Sequence, residues 1–356
     1  MRRFEFVGGG SNKFWEISQE GTAVTVHFGR MHTNGQAHVK NLDSWDEAAE
    51  HVRKMVAEKI REGYIEVEGS GPRPQDLPGF SVPPTLPRYE VAALPENGPL
   101  AVGNVQLPAG QRRRGNPQYA PRGVTAIEQP VLWSTDEPVD FAGRSLYWLR
   151  QDAGALNLVP VLLGGLDDDP KRPWQSGEFC PADPRRVVLI DVLAELAHAW
   201  SAGVEGDEEA LEPIKPFGKK FPGLSSQPVR LTDVRSDGDL LEQMRHRHVA
   251  LVTAERPADV VAATGWMGAV NVHEDPAFLS AVLRSWEVRW YARLVEIGFA
   301  TLTLSVGNPP RDEKTALALA AEHFAFCPDN IWQGPGTISA YAEGLVNART
   351  WHFWWD

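Results

Sequence analysis

The sequence predicts an α+β protein in two parts: a small antiparallel sheet with one helix at the N-terminus, then a larger mixed α+β region. Three observations predict it. Thr22 to Phe28 alternates with Val24, Val26 and Phe28 on one face, the period of a half-buried strand, and a helical stripe follows shortly after. Gly69 to Pro95 holds seven prolines and almost no apolar period, which separates two folded parts. The last third interleaves long helical stripes with short alternating strands.

Within residues 1–68, Phe4 to Phe6, Phe14 to Ile17 and Thr22 to Phe28 read as strands divided by Gly- and Asn-containing breaks. Ser44 with Glu47 forms a capping box, Ala48, Val52, Val56 and Ile60 recur every fourth residue, and Gly63 provides the stop. These signals predict a helix from about Ser44 to Glu62, laid on the sheet, with Tyr64 to Val67 as a closing strand. Residues 69–95 read as a semi-rigid linker, so the domain boundary is expected there and 96–356 form the second region. In that region Leu100 to Leu166 is strand-like and turn-rich, with Val131 to Trp133 and Leu158 to Leu163 as buried strands, the second carrying an interior Pro160.

Asp183-Pro184 opens a helix to Gly203 with Leu189, Leu193, Leu196 and Trp200 as one buried stripe. The four prolines between 213 and 228 mark a sub-boundary or a long surface loop. Val249 to Thr253 reads as a strand and Pro257 to Thr264 as a short helix. Asp275-Pro276 begins a long helix with Leu279, Leu283, Trp286, Trp290, Leu294 and Ile297 on one side, stopped by Gly298. A strand with Leu302, Leu304 and Val306, a helix over Asp312 to Phe326 ended by Pro328, and a helix over Thr337 to Val346 follow. Trp351 to Asp356, aromatic on both faces, predicts a central strand covered on both sides.

The formal net charge of −12 excludes a protein that coats nucleic acid with its whole surface, so any such site must be a local patch. Residues 1–68 carry 9 Lys+Arg against 11 Asp+Glu; the remaining −10 lies downstream, an acidic region suited to a basic protein partner. No apolar run approaches the roughly 20 residues that span a bilayer, and no secretory signal is visible, so a cytoplasmic protein without a membrane partner is expected. The two cysteines, Cys180 and Cys327, cannot form a disulfide framework and fit a reducing compartment.

Catalytic templates mostly fail: there is no phosphate-cradling Gly-Lys-Ser/Thr loop, no Gly-x-Gly-x-x-Gly after a strand, no His-Glu-x-x-His and no Gly-x-Ser-x-Gly. No cofactor and no metal are expected. One local convergence remains. His323 and Cys327 stand four residues apart with Asp329 and Asn330 next, which could be a thiol with its base, or half a metal site completed by Cys180. Against both, a cysteine at a helix end beside Phe324 and Phe326 is more often a buried small hydrophobe, and Asp-Asn more often a turn. For nucleic acid, the candidates are Lys13, Arg30, Gln36 and Lys40, with Phe28 as a stacking ring or a core residue. Arg112 to Arg114 with Tyr119 and Arg122 form a second candidate loop.

Gly9-Gly10-Ser11-Asn12-Lys13-Phe14-Trp15, Phe28-Gly29-Arg30 with Gly35-Gln36, Glu58-Lys59-Ile60 and Gly63-Tyr64 together resemble the WGR domain, over essentially residues 1–68. In the poly(ADP-ribose) polymerases that domain's Trp-Gly-Arg segment and nearby basic residues bind DNA ends. Phe28 replaces the naming tryptophan while Gly29 and Arg30 are kept, so the resemblance implies a phosphate contact at Arg30 more firmly than a stacking contact at Phe28. From about Leu94 onward, Val282 to Glu287, Ala321 to Asn330 and Trp351 to Asp356 resemble DUF4253, a bacterial family of unknown function. That resemblance implies an α+β domain and no particular reaction.

The leading expectation is a non-enzymatic bacterial protein in which the N-terminal module binds nucleic acid, at DNA ends or phosphates, or a partner, tethered to a domain that recognises something else. Its rivals are an immunity-type or scaffold protein acting through protein interaction, and an enzyme using His323, Cys327 and Asp329.

Overall fold

The computed structural model describes residues 2–8, 11–20, 22–30, 36–42, 44, 47–48, 51–52, 54–56, 59, 65–66, 93–120, 126–152, 157–181, 183–204, 209–226 and 237–356. The chain divides into two compact units, Met1–Pro87 and Arg88–Asp356.

The first unit is a five-stranded antiparallel sheet in the order β4-β3-β2-β1-β5, with β1 (Arg2–Gly8), β2 (Ser11–Glu20), β3 (Ala23–Arg30), β4 (Gln36–Asn41) and β5 (Ile65–Glu66). Its first four strands follow one another as a meander, and the last returns beside β1. Alternation fixes which face is buried: Phe4, Trp15, Ile17, Val24 and Val26 share one face and pack with Ala48 and Val56 of the helical segment. Ser44 Oγ accepts the Glu47 backbone N–H at 3.2 Å, the capping bond predicted for that helix. Ile60 to Tyr64, Val67 and most of the Pro-rich segment lie outside the described residues. β4 was not anticipated.

The second unit is built on an eight-stranded mixed sheet in the order β13-β12-β11-β9-β10-β8-β7-β6. Its strands are β6 (Gly98–Val102), β7 (Val105–Arg113), β8 (Leu132–Thr135), β9 (Val159–Leu163), β10 (His248–Val252), β11 (Ala292–Ile297), β12 (Thr301–Val306) and β13 (Thr350–Trp354). Only β9 and β11 pair in parallel; every other neighbouring pair is antiparallel. The helices are α1 (Ala142–Asp152), α2 (Val192–Gly203), α3 (Gly238–Gln243), α4 (Val260–Thr264), α5 (Pro276–Trp290), α6 (Glu313–Phe326), α7 (Asp329–Trp332) and α8 (Ile338–Leu345). Residues of α2, α4, α5, α6 and α8 pack with Val161, Ala250, Leu294, Leu304 and Phe353 on one face of the sheet. On the other face Trp133, Leu162, Leu251 and Val295 pack with α1 and α3.

Four expectations are corrected. The terminal strand β13 is an edge strand, not a central one: Trp351, Phe353 and Trp355 are buried on the helix-covered face, whereas His352 is exposed and Trp354 half-buried on the other. The stripe of α5 continues past the helix end because Tyr291 adopts a left-handed conformation at φ 52°, and Leu294 and Ile297 reach the same core from β11. The stripe over 183–203 is broken by an extended Ile190 and a second cap at Asp191, which leaves Leu189 and Leu193 exposed and only Leu196 and Trp200 buried. Helix α1 lies inside a segment that the sequence reads as strand and turn.

Candidate functional site

The five residues predicted for nucleic acid fall on β2, β3 and β4 of the first unit. Lys13 pairs with Arg30 across β2 and β3, while Phe28 stands between Trp15 on β2 and Gln36 on β4. These four positions therefore gather at one end of the sheet, on the same register parity as the core. Lys40 pairs with Val24 and lies four residues beyond Gln36, about 13 Å further along the strand. It is not part of the group. Phe28 continues the Val24–Val26 face, yet Val24 and Val26 are 1% and 9% exposed while Phe28 is 38% exposed. Ala48 and Val56 of the helical segment pack with Val24 and Val26, and among the described residues Phe28 is the ring on this face that stays exposed.

The ring of Phe28 stacks on His38, centroids 5.6 Å apart and planes 12° from parallel. His38 was missed by the sequence reading. It stands two residues from both Gln36 and Lys40 on a strand whose alternation had not been recognised.

The Arg112–Arg114 candidate is a strand end rather than a loop, and its first two guanidiniums are spent internally. Arg112 donates to the carbonyls of Leu94 and Pro95 at 2.7 and 2.8 Å and pairs with Glu96, and Arg113 bonds Ser134 and Asp136. Arg122 lies outside the described residues.

The His323–Cys327–Asp329 group converges, but as part of the core. The Cys327 thiol is fully buried, and burial pushes its pKa up to about 12. It donates to the Trp354 carbonyl at 3.0 Å and toward Asn330 Oδ1 at 3.4 Å. The His323 ring bonds Tyr341 instead, Nδ1 to hydroxyl at 3.1 Å, so no thiol–imidazole bond forms. The same hydroxyl accepts from Asn330 Nδ2 at 3.1 Å, so Tyr341 links the histidine to the asparagine. Nε2 has no hydrogen-bond partner among the described residues, and the ring is enclosed by Trp286, Trp351 and Phe353 at centroid distances of 4.7, 4.7 and 4.9 Å. Burial, with the Arg289 charge adding to it, holds His323 neutral far below its ordinary pKa.

What the group does is close an edge. Strand β13 has β12 on one side only, and Asn330 supplies the other: its Nδ2 donates to the His352 carbonyl at 2.7 Å and its Oδ1 accepts from the Trp354 N–H at 3.1 Å. Asp329 accepts the Asp356 N–H at 3.2 Å. Side chains thus replace a missing strand, which is one way to keep an edge from pairing with another chain. Cys180 is buried beside Gly265, its N–H bonded to the Gly265 carbonyl, and among the described residues no three His, Cys, Asp or Glu side chains gather as a metal site. No helix among the described residues is long and apolar enough to cross a membrane.

With this geometry in place, the chain is an α+β protein joining two family modules. Residues 1–71 match the WGR domain and residues 248–356 match DUF4253, a domain of unknown function. The second match begins at His248, so it covers less than the resemblance from Leu94 had implied. WGR domains form a family of nucleic-acid-binding modules. The chain is similar to Protein YehF of Escherichia coli K12, 33% identical over 66 residues, which are 18% of this chain and 24% of that protein. It is also 32% identical over 65 residues to the uncharacterized protein YfeS of the same organism, covering 18% and 27% of the two chains. The chain thus spans about a quarter of the length of these curated relatives. A crystal structure of a Bacteroides fragilis protein is 44% identical over 18% of this chain and 19% of that one, with a TM-score of 0.18.

Proposed function

We propose that the protein is a non-enzymatic binder of nucleic acid, with residues 1–68 as the binding module, the Pro-rich segment 69–95 as a tether, and 96–356 as a second recognition region. The observation that carries this reading is the exposed Phe28 ring, which stacks on His38 beside the paired positions Lys13 and Arg30 at one end of the N-terminal sheet. Cations there neutralise phosphates, and the stacked ring pair offers a face to a terminal base or sugar. Duplex ends suit such a site because they expose both a phosphate and an unstacked base face. The spent guanidiniums of Arg112 and Arg113 and the closed Cys327 group supply no competing site.

The test is a gel shift of the full chain on a blunt duplex across a salt series. Arg30→Ala is expected to weaken binding and to reduce the log–log salt slope by about 0.9, one phosphate contact. An unchanged affinity and slope would remove Arg30 from the interface. If the wild-type chain does not shift duplex and captures a basic protein instead, the acidic second region becomes the functional surface.

A further inference from the structure

Helix α1 buries Ala142, Gly143, Leu146 and Leu149 and turns a different face outward. Phe141, Tyr147 and Trp148 are 50%, 37% and 49% exposed, three large aromatics within eight residues on the surface of one short segment. Arg144, three residues after Phe141 and four before Trp148, lies over the Phe141 ring at 5.4 Å. Arg245, from the loop after α3, lies over the same ring at 4.5 Å. Tyr147 and Trp148 meet edge to face at 5.2 Å and 85°.

Both arginines are exposed, and among the described residues neither has a carboxylate partner; the nearby Asp140 pairs with His246. Acidic residues lie nearby in sequence, Glu137 and Asp140 before Phe141 and Asp239 and Glu242 before Arg245, so what marks this spot is two unpaired guanidiniums held over one exposed ring. A guanidinium stacked on an aromatic ring keeps its N–H edges directed outward, the arrangement that grips a phosphate.

We propose that this face of α1, with Arg245, binds single-stranded nucleic acid, the bases stacking on Trp148 and Tyr147 and the phosphates held by Arg144 and Arg245. Rings with adjoining unpaired cations match a ligand that alternates planar apolar groups with negative charges. An acidic peptide supplies the charge without the planar groups. The site lies on the second unit and does not depend on the reading of residues 1–68.

The experiment measures fluorescence anisotropy of a labelled, mixed-sequence single-stranded 15-nucleotide DNA, and separately of a blunt duplex, with the full chain. Trp148→Ala is expected to weaken single-strand binding about tenfold, the worth of one stacked base. Arg144→Ala with Arg245→Ala should lower the single-strand salt slope by about 1.4, two contacts at about 0.7 each. Neither change should alter duplex binding or, at exposed positions, the melting temperature. Single-strand affinity that ignores both variants overturns the proposal. So does loss of single-strand binding in Arg30→Ala but not in Trp148→Ala, which assigns all binding to the N-terminal unit and leaves its reading standing. Binding of poly-glutamate that these variants abolish, with oligonucleotide binding intact, also overturns it in favour of an acidic protein.

Discussion

Asn330→Ala probes the closure of the β13 edge directly. Asn330 is 7% exposed and its amide is used on both sides: its two donors reach the Tyr341 hydroxyl and the His352 carbonyl, and its oxygen accepts from the Trp354 N–H. Alanine orphans two backbone groups of an edge strand. The tyrosine keeps His323 and the thiol keeps the Trp354 carbonyl, so neither of these is stranded. At about 1–3 kcal/mol for each orphaned buried group, with water able to reach the edge, the expected loss is about 2–4 kcal/mol. Asn330→Asp keeps the shape but removes both donors and sets a carboxylate against the His352 carbonyl, so it should cost at least as much. Urea unfolding followed by tryptophan fluorescence measures the loss, and hydrogen exchange at the Trp354 amide reports where it occurs. A cost below about 0.5 kcal/mol with the Trp354 amide still protected would refute the claim that side chains complete this edge.

Further outcomes follow from burial. Ellman's reagent should find no reactive thiol in the native chain near neutral pH and two after denaturation, since Cys180 and Cys327 are both buried; rapid native labelling would reopen the enzyme reading. His273, which bonds the Phe326 carbonyl at 2.9 Å, has its pKa pushed down to about 4, chiefly by burial. The unfolded chain therefore binds this proton first as pH falls. The stability contribution is whole above about pH 6.5 and is lost on the way down to about pH 4, at most about 3 kcal/mol, and His273→Gln should flatten that dependence. An equally steep acid slope in the variant would clear His273 of the effect. Phe353→Ala, which removes a fully buried ring stacked on Trp286 at 5.3 Å, should cost about 3–5 kcal/mol, whereas His352→Ala on the exposed side should cost under about 1. Equal costs for the two would mean that β13 is not one-sided.

Periodicity located elements whose buried face was the apolar one, and failed where exposure and burial ran against residue type. Strand β3 was legible because Val24 and Val26 are both apolar and both buried. Strand β4 was not, because Gln36, His38 and Lys40 carry the core-side parity while Val39, the apolar residue, is exposed on the other. Helix α1 hid for the same reason: Phe141, Tyr147 and Trp148 are as apolar as the buried Leu146 and Leu149 and erase the stripe. In β13 the aromatic residues suggested cover on both faces. Pattern cannot report that the outward backbone groups are bonded by the side chain of Asn330.

The candidate sites separate on a quantity that residue spacing does not encode, namely how much polar capacity is already spent inside the fold. The convergence of His323, Cys327, Asp329 and Asn330 was legible, yet their bonds run to Tyr341, to the β13 backbone and to the Asp356 N–H. A thiol in such surroundings stays protonated, because no solvent or cation is at hand to stabilise the thiolate. Arg112 and Arg113 looked available for phosphate and are committed to Leu94, Pro95, Glu96, Ser134 and Asp136. Arg144 and Arg245 sat in segments without a motif, and the structure leaves both over an exposed ring with no hydrogen-bond partner for their N–H groups among the described residues. Binding of a charged polymer draws on unspent donors, so these two guanidiniums have more to offer than the conspicuous arginine run.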